Sequence, residues 1–237
     1  MTEIVIAHLY PRRMNIYGDT GNVIALSRRL EWRSIPFRVD LVEVGTEYDL
    51  LGADVVVAGG GEDTSQISVA HDLVARADNV HAAVDSGVAF LVVCGTYQLF
   101  GRRFVASDGS ELQGIGVFDA DTVGGDGRMI GNVVVATEFG RLVGFENHGG
   151  RTLLDIGQAP LGQVVRGNGN NDSTGDEGAV TNNCFGTYLH GSVLPKNPTF
   201  ADELLRRGIE RRHGGVSLQK LDDTAELAAA ESAALRP

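Results

Sequence analysis

The chain has 237 residues, of which 43% are hydrophobic and 22% charged, so it is long enough for one large globular domain and is not a disordered protein. Its net charge of −11 argues against sequence-independent binding to nucleic acid or anionic lipid, both of which need positive surfaces. It has neither the apolar length of a membrane span nor the basic start of an export signal, so we expect no membrane span and a cytoplasmic location.

The first part of the chain alternates between strand-like and helix-like patterns. In chain order the patterns predict a strand at 3–9, a helix at 20–32, strands at 37–44 and 54–61, a helix at 68–87 and a strand at 88–95. Strands with near-continuous apolar runs, separated by helices, indicate an α/β fold whose parallel sheet is covered by helices on both faces. The functional site of such a sheet lies at the carboxyl ends of its strands.

The pattern changes after about residue 112. Short strand candidates separated by Gly, Asn and Asp follow, and they predict hairpins and mixed edge strands. A closing helix is predicted at 199–215, with Gly214 at its C-terminal cap. We therefore predict one domain over 1–215. The remaining segment, 216–237, is rich in Ala and Glu with few large apolar residues, which predicts a loosely ordered C-terminal tail.

Cys94 stands between the apolar strand 88–95 and a helix that is predicted to begin at Gly95 or Thr96. A sharp turn from strand to helix lifts a nucleophile above the sheet and directs unpaired helix N–H groups at its sulfur. Those dipoles favour the thiolate. A cysteine after an apolar strand can also be a buried structural thiol, and in a cytoplasmic protein Cys94 and Cys184 are expected to be free thiols rather than a disulfide.

His190 ends a second short apolar segment, and Gly191 follows it. A histidine at a strand end is often only a hydrogen-bonded structural residue. Two residues at strand ends can nevertheless meet at one sheet edge, as a Cys–His nucleophile pair requires. The three glycines at 59–61 follow another strand, where they either form a turn or let backbone N–H groups approach a substrate oxygen.

These motifs resemble those of the class I glutamine amidotransferases. The glycine loop, Cys-Gly-x-x-x-x-x-Gly at 94–101 and Gly-Thr-Tyr-Leu-His-Gly at 186–191 occur in the order and spacing of that family, and are most similar to its cobyric acid synthase-like branch. The chain length and the segment YPRRMNIYGDTGN at 10–22 resemble the small glutaminase subunits of lipid II isoglutaminyl synthases.

The resemblance implies that the chain hydrolyses L-glutamine. Cys94 would attack the side-chain amide, His190 would protonate the leaving ammonia, and Gly60, Gly61 and Gly95 would hold the oxyanion. In the isoglutaminyl synthases the ammonia passes to a Mur-ligase-like partner that uses ATP to amidate the D-glutamate α-carboxyl of lipid II. This chain lacks a GxxxxGK[ST] phosphate loop, so we expect ATP and Mg²⁺ on that partner, and no cofactor or metal in this chain.

Two further residues are candidates for binding substrate. Arg128 lies in a glycine-rich segment and could hold the glutamine α-carboxylate, or could be a solvated loop residue. Gln98 follows Cys94 on the predicted helix and could line the same pocket or face solvent. Asn15 and Asp19 are equally compatible with helix caps and with binding groups.

The sequence departs from the family in one respect. Many class I amidotransferases carry a glutamate two residues after the histidine, and this position is Ser192 here. We therefore expect the partner subunit to supply the third member of the triad, with Asp19 or Glu146 as alternatives within the chain.

Other functions stay open from sequence alone. The chain could feed ammonia to a corrinoid or another carboxylate, although we expect no ATP-binding synthetase domain to be fused to it. It could be a stand-alone γ-glutamyl cysteine hydrolase on the same fold. A non-catalytic scaffold is the remaining alternative, against which the joint presence of Cys94, His190 and the glycine loop argues.

Overall fold

The structure is a computed structural model that describes residues 3–61, 63–190, 192–215 and 217–236. Its strands are β1 (Ile4–Leu9), β2 (Phe37–Val42), β3 (Val55–Ala58), β4 (Ala89–Val93), β5 (Arg103–Val105), β6 (Glu111–Gln113), β7 (Ala120–Thr137), β8 (Gly140–Leu154), β9 (Gly162–Arg166), β10 (Asp176–Glu177), β11 (Ala179–Thr181) and β12 (Cys184–Thr187). Its helices are α1 (Thr20–Trp32), α2 (Asp63–Ala75), α3 (Ala77–Asp85), α4 (Gly95–Phe100), α5 (Val193–Lys196), α6 (Pro198–His213) and α7 (Thr224–Ala234), with a 3-10 turn at Leu50–Gly52.

The main sheet has the order β11-β12-β4-β3-β1-β2. Its strands pair in parallel except β11, which is antiparallel to β12 at the edge. Every residue of β1, β3, β4 and β12 is buried, as expected for strands covered on both faces. The flanking helices contact one another in two groups, α1 with α5 and α6, and α2 with α3 and α4. The predicted α/β fold is confirmed.

A second sheet, of order β10-β9-β7-β5-β6, holds most of the strands predicted after residue 112. Strand β8 pairs with β7 in a long antiparallel hairpin, and the register shifts between Gly124 and Met129. The predicted hairpin is thus present, but its strands are longer than predicted, because the glycines and polar residues within them resemble turns in the sequence. The register shift releases the segment that contains Arg128 from the hairpin ladder.

The helix predicted at 68–87 is two helices, α2 and α3, with a break at Arg76. The guanidinium of Arg76 donates to the carboxylate of Asp72 and to the carbonyl oxygen of Thr46. The closing helix agrees with its prediction, because α6 ends at His213 and Gly214 follows with φ +77°, a conformation that glycine adopts without strain.

The segment 216–237, predicted to be a loosely ordered tail, contains helix α7. Ala230 and Ala234 pack against Val134 and Val143 of the β7–β8 hairpin. Before the helix, Asp223 accepts a 2.7 Å hydrogen bond from the guanidinium of Arg29 in α1. The tail is thus attached through small side chains and an ion pair, neither of which forms an apolar pattern in the sequence.

None of the helices in the described part of the chain has the length and apolar character needed to cross a bilayer.

Candidate active site

Cys94 lies in the turn between β4 and α4, as the sequence predicted. Its backbone has φ 52° and ψ −108°, and a non-glycine residue at positive φ costs on the order of 1–3 kcal/mol. The first intrahelical bond runs from Gln98 N–H to the Cys94 carbonyl oxygen, so the preceding amides of α4 have no partner within the helix. Cys94 is 8% exposed, and it lines a cavity.

His190 follows β12, the strand next to β4, and is fully buried. Its backbone is held by two hydrogen bonds with Phe145 of β8. A Cβ atom at Gly60 would lie 2.9 Å from His190 Cε1 and 3.5 Å from Cys94 Sγ. The glycine therefore fits between the imidazole and the thiol, and the structure brings the predicted pair together. Gly191, the last residue of the predicted motif, lies outside the described residues.

The imidazole of His190 is held in its charged form. Burial opposes this charge, but the interactions of the imidazole with Cys94 and with the carboxylate of Asp19 outweigh it and raise the pKa of His190 to about 10. The imidazole therefore carries a proton at neutral pH, as an acid that protonates a leaving group requires.

Asp19 is the carboxylate whose position beside His190 fits that of a third triad member. Its Oδ1 lies 3.8 Å from Nδ1 of His190, and both side chains are fully buried. Its Oδ2 accepts a 2.9 Å hydrogen bond from the N–H of Gly60, and the side chain does not cap α1. Oδ1 of Asn15 instead accepts a hydrogen bond from the N–H of Thr20, the first residue of α1. An acid for His190 is therefore available within this chain.

The other positions considered for this role have different contacts. The hydroxyl of Ser192 donates to the Gly18 carbonyl oxygen, which ties the histidine segment to the loop that carries Asp19. The carboxylate of Glu146 accepts from two N–H groups, of Asn168 and Gly169, and from the Asn168 side chain. Glu146 lies 3.9 Å from His148 rather than beside His190.

The three predicted oxyanion glycines differ in what their amides can do. The N–H of Gly60 already donates to Asp19, so it holds the carboxylate and is not available to a substrate oxygen as predicted. Gly61 lines the same cavity as Cys94, and Gly95 is the first residue of α4. A Cβ at Gly61 would lie 2.5 Å from the Arg13 carbonyl oxygen, and one at Gly95 would lie 2.3 Å from Nε2 of Gln66. At Gly61 the backbone of Arg13 therefore excludes a side chain, whereas at Gly95 a Cβ would have to displace the side chain of Gln66.

Cys94 opens into a cavity of ≈ 440 Å³ that Arg128 and Gln98 also line. The guanidinium of Arg128 is oriented by Asn147, whose side-chain and backbone oxygens each accept at 2.7 Å. The amide of Gln98 donates to the hydroxyl of Tyr188 at 3.1 Å. Both predicted binding residues thus face the nucleophile's cavity rather than bulk solvent alone.

Tyr17, Gln66 and His148 are among the cavity residues that the sequence analysis did not single out. The ring of Tyr17 lies over His190 with 4.5 Å between ring centroids. The imidazole of His148 stacks on Tyr188 at 3.5 Å, and burial lowers the pKa of His148. Tyr17 belongs to the segment 10–22 that carried part of the resemblance. Gln66 lies between the glycine loop and the helix predicted at 68–87, and His148 lies in the β7–β8 hairpin, so neither carries a comparable signal in the sequence.

No group of three or more His, Cys, Asp or Glu side chains among the described residues is arranged to hold a metal ion.

Comparison with known proteins decides the family. The model of the CobB/CobQ-like glutamine amidotransferase domain matches residues 5–198. The chain belongs to this family. A relative from Staphylococcus aureus, the lipid II isoglutaminyl synthase (glutamine-hydrolyzing) subunit GatD, is 38% identical and the match covers 97% of this chain and 94% of the relative. The subunit of the same name from Streptococcus pneumoniae is 37% identical, over 90% of this chain and 83% of the relative.

A crystal structure of a glutamine amidotransferase superposes with a TM-score of 0.59, covering 85% of this chain and 98% of that one, at 15% identity. At this identity the superposition supports the fold. Together with the family membership, the two relatives identify this amidotransferase as a glutamine-hydrolysing enzyme.

Proposed function

We propose that this amidotransferase is the glutaminase subunit of a lipid II isoglutaminyl synthase. It hydrolyses L-glutamine and delivers the ammonia to a Mur-ligase-like partner, which amidates the D-glutamate α-carboxyl of lipid II to D-isoglutamine. The observation that carries the proposal is the placement of Cys94, His190 and Asp19 at one end of the main sheet, beside a cavity that Arg128 lines. The names of the two bacterial relatives support the acceptor.

The chemistry starts with the sulfur of Cys94. The thiolate forms a bond to the side-chain amide carbon of glutamine, and the oxygen of the resulting tetrahedral species accepts hydrogen bonds from the amides of Gly95 and Gly61. The proton held by His190 passes to the amide nitrogen, and the C–N bond breaks to release ammonia. Neutral His190 then takes a proton from water, whose oxygen forms a bond to the thioester carbon. The C–S bond breaks, glutamate is released, and the thiolate of Cys94 and the protonated His190 are restored.

Asp19 orients His190 and stabilises its charge, in place of the partner-supplied acid that the sequence suggested. The 3.8 Å separation from Nδ1 and the full burial of both groups support this assignment. The hydrogen bond from Gly60 keeps the carboxylate in position. Glutamine hydrolysis therefore needs no residue from another chain to complete the triad.

Arg128 binds the α-carboxylate of glutamine. Two hydrogen bonds to Asn147 direct its guanidinium, and a fixed positive charge at the cavity suits a carboxylate. ATP, Mg²⁺ and lipid II are assigned to the partner, since the phosphate-loop motif is absent from this sequence. The activity is assigned to the cytoplasm, where ATP is available to the partner.

The test is ammonia release from glutamine by the purified chain, alone and with a Mur-ligase-like synthetase from the same organism. Cys94→Ser should abolish glutamine-dependent amidation of lipid II while added ammonium still supports the synthetase. Cys184→Ser is the matched control, because Cys184 is fully buried in β12 and its burial raises the pKa of the thiol. A diazo-ketone analogue of glutamine should label Cys94, and labelling of Cys184 instead would overturn the assignment.

The acceptor is tested separately. The complex should convert D-glutamate of lipid II to D-isoglutamine in the presence of glutamine and ATP, as measured by mass spectrometry of the stem peptide. Ammonia release with no amidation of lipid II would leave the glutaminase in place and refute the acceptor.

A further inference from the structure

Gln66 on α2 is nearly buried, with 4% of its surface exposed, and lines the cavity that contains Cys94. Its Nε2 donates a 3.1 Å hydrogen bond to Oε1 of Gln98. Gln98 in turn donates to Tyr188, whose hydroxyl bonds to Thr152. This chain of hydrogen bonds orients the carboxamide of Gln66.

The opposite end of this carboxamide is unpaired. Oε1 of Gln66 is a buried acceptor without a hydrogen-bond partner among the described residues. A buried acceptor without a partner is costly, and such groups in folded proteins require an explanation, which at a binding cavity is a ligand donor. The cavity therefore offers an acceptor for a hydrogen-bond donor on the bound molecule.

Of the polar groups of glutamine, the α-ammonium needs this acceptor most. The proposed function assigns the α-carboxylate to Arg128 and the side-chain amide to Cys94. The α-ammonium is a cation with three N–H donors. A Cβ at Gly95 would lie 2.3 Å from Nε2 of Gln66, so the carboxamide is beside the turn that carries the nucleophile, within reach of a short amino acid.

Among the described cavity residues, Nε2 of His148 is the other buried acceptor without a hydrogen-bond partner, and it does not compete for this role. Nδ1 of His148 donates to the carbonyl oxygen of Gly150 at 2.9 Å, which leaves Nε2 as the acceptor of the neutral ring. That Nε2 lies 3.9 Å from the carboxylate of Glu146, which is not a cavity residue. It is thus on the side of the ring that faces Glu146.

We propose that Oε1 of Gln66 accepts a hydrogen bond from the α-ammonium of the substrate and makes the site selective for α-amino acid amides. The inference rests on the proposed glutaminase function and adds a specificity-determining residue to it. Sites built to bond a polar group discriminate strongly against analogues that lack it, because their buried polar atoms are then left unpaired. Glutaramate, which is glutamine without its α-amino group, is the diagnostic substrate.

The experiment compares kcat/KM for glutamine and for glutaramate in the full chain with its synthetase partner. Gln66→Met keeps the length of the side chain but removes the acceptor, and Gln66→Glu keeps an acceptor. Gln113→Met, at an exposed position of β6 outside the cavity, is the matched control. Alkylation of Cys94 by iodoacetamide, which has no ammonium group, reports whether the nucleophile is intact.

We expect Gln66→Met to lower kcat/KM for glutamine by roughly 10- to 100-fold, the loss expected for one buried hydrogen bond to a charged group, mainly through KM. Its kcat/KM for glutaramate and its rate of Cys94 alkylation should stay near wild type, so that the preference for glutamine over glutaramate is lost. Gln66→Glu should retain the preference.

Equal losses for both substrates in Gln66→Met would show a structural role and overturn the inference, as would wild-type selectivity. Loss of the preference in Gln66→Glu would overturn it too, and that variant decides the case if Gln66→Met does not fold. The proposed function fails in a distinguishable way, namely if the wild-type complex releases no ammonia from glutamine.

Discussion

Replacing Asp19 by asparagine removes the charge beside His190 with little change in shape. The amide oxygen of the introduced side chain can still accept the hydrogen bond from Gly60, so the glycine loop should keep its position. Two unit charges about 4 Å apart interact by about 4 kcal/mol at an effective dielectric constant of about 20. The 3.8 Å separation of the buried Asp19 and His190 is close to that distance.

Losing about 4 kcal/mol of stabilisation weakens proton binding by His190 about 10³-fold. Because the pKa of His190 in the wild type is about 10, nearly all of its imidazole is protonated at pH 9, whereas about 1% would be protonated in Asp19→Asn. If this proton is needed when ammonia leaves, kcat at pH 9 therefore falls by about 100-fold. This is smaller than the ~10⁴-fold loss found when the aspartate of a serine protease triad becomes asparagine. The difference agrees with the separation of 3.8 Å, which is longer than a hydrogen bond.

The assay is the initial rate of ammonia release at pH 9 and saturating glutamine, for the isolated chain and for the complex with its synthetase. Asp85→Asn, at an exposed position of α3, is the matched control and should leave the rate unchanged. A rate for Asp19→Asn within tenfold of wild type in both preparations would refute the role of Asp19. Neutralising the partner's interface carboxylates one at a time would then locate the acid in the other chain.

Three other predictions follow from the site and the tail. Gly60→Ala should lose nearly all glutaminase activity, because the added methyl group would lie 2.9 Å from Cε1 of His190. Activity within tenfold of wild type would show that the glycine loop can move aside. Arg128→Ala should raise KM for glutamine with little change in kcat, and unchanged steady-state kinetics would remove the guanidinium from the substrate site. Deleting 216–237 should lower the melting temperature, because the nearly buried Arg29 loses Asp223. It should preserve ammonia release at 25 °C, since none of the described residues of the tail lines the Cys94 cavity, and loss of activity in the folded truncation would contradict this.

Stability should also depend on pH through His190. The pKa of this histidine rises from 6.5 in the unfolded chain to about 10 in the folded one, so the charged imidazole stabilises the fold fully below pH ~6.5. That contribution should be lost as the pH rises from ~6.5 through about 10. Denaturant unfolding of wild type and His190→Gln over this range measures it, and parallel pH profiles for the two proteins would contradict the prediction.

Local sequence was sufficient for the features that depend on neighbouring residues. The apolar run of β4 and the Gly95 that follows Cys94 predict a strand-to-helix turn, and the structure has Cys94 at that turn. The strands of the main sheet were visible for the same reason, since burial on both faces requires runs of apolar residues that can be read directly. The order of motifs then related Cys94 to His190, and neighbouring parallel strands bring their ends together.

The features that the sequence left open are contacts between polar residues far apart in the chain. Asp19 lies beside His190 only because the loop before α1 packs on the glycine loop, and no periodicity marks such a contact. The cost of burying a polar group is also invisible in sequence: Gln66 belongs to a helix of ordinary composition, and only its position against Gln98 in the folded cavity leaves one oxygen without a partner. The tertiary structure decided these roles because a carboxylate or amide depends on the groups that surround it in space, whereas strands and turns depend mainly on adjacent residues.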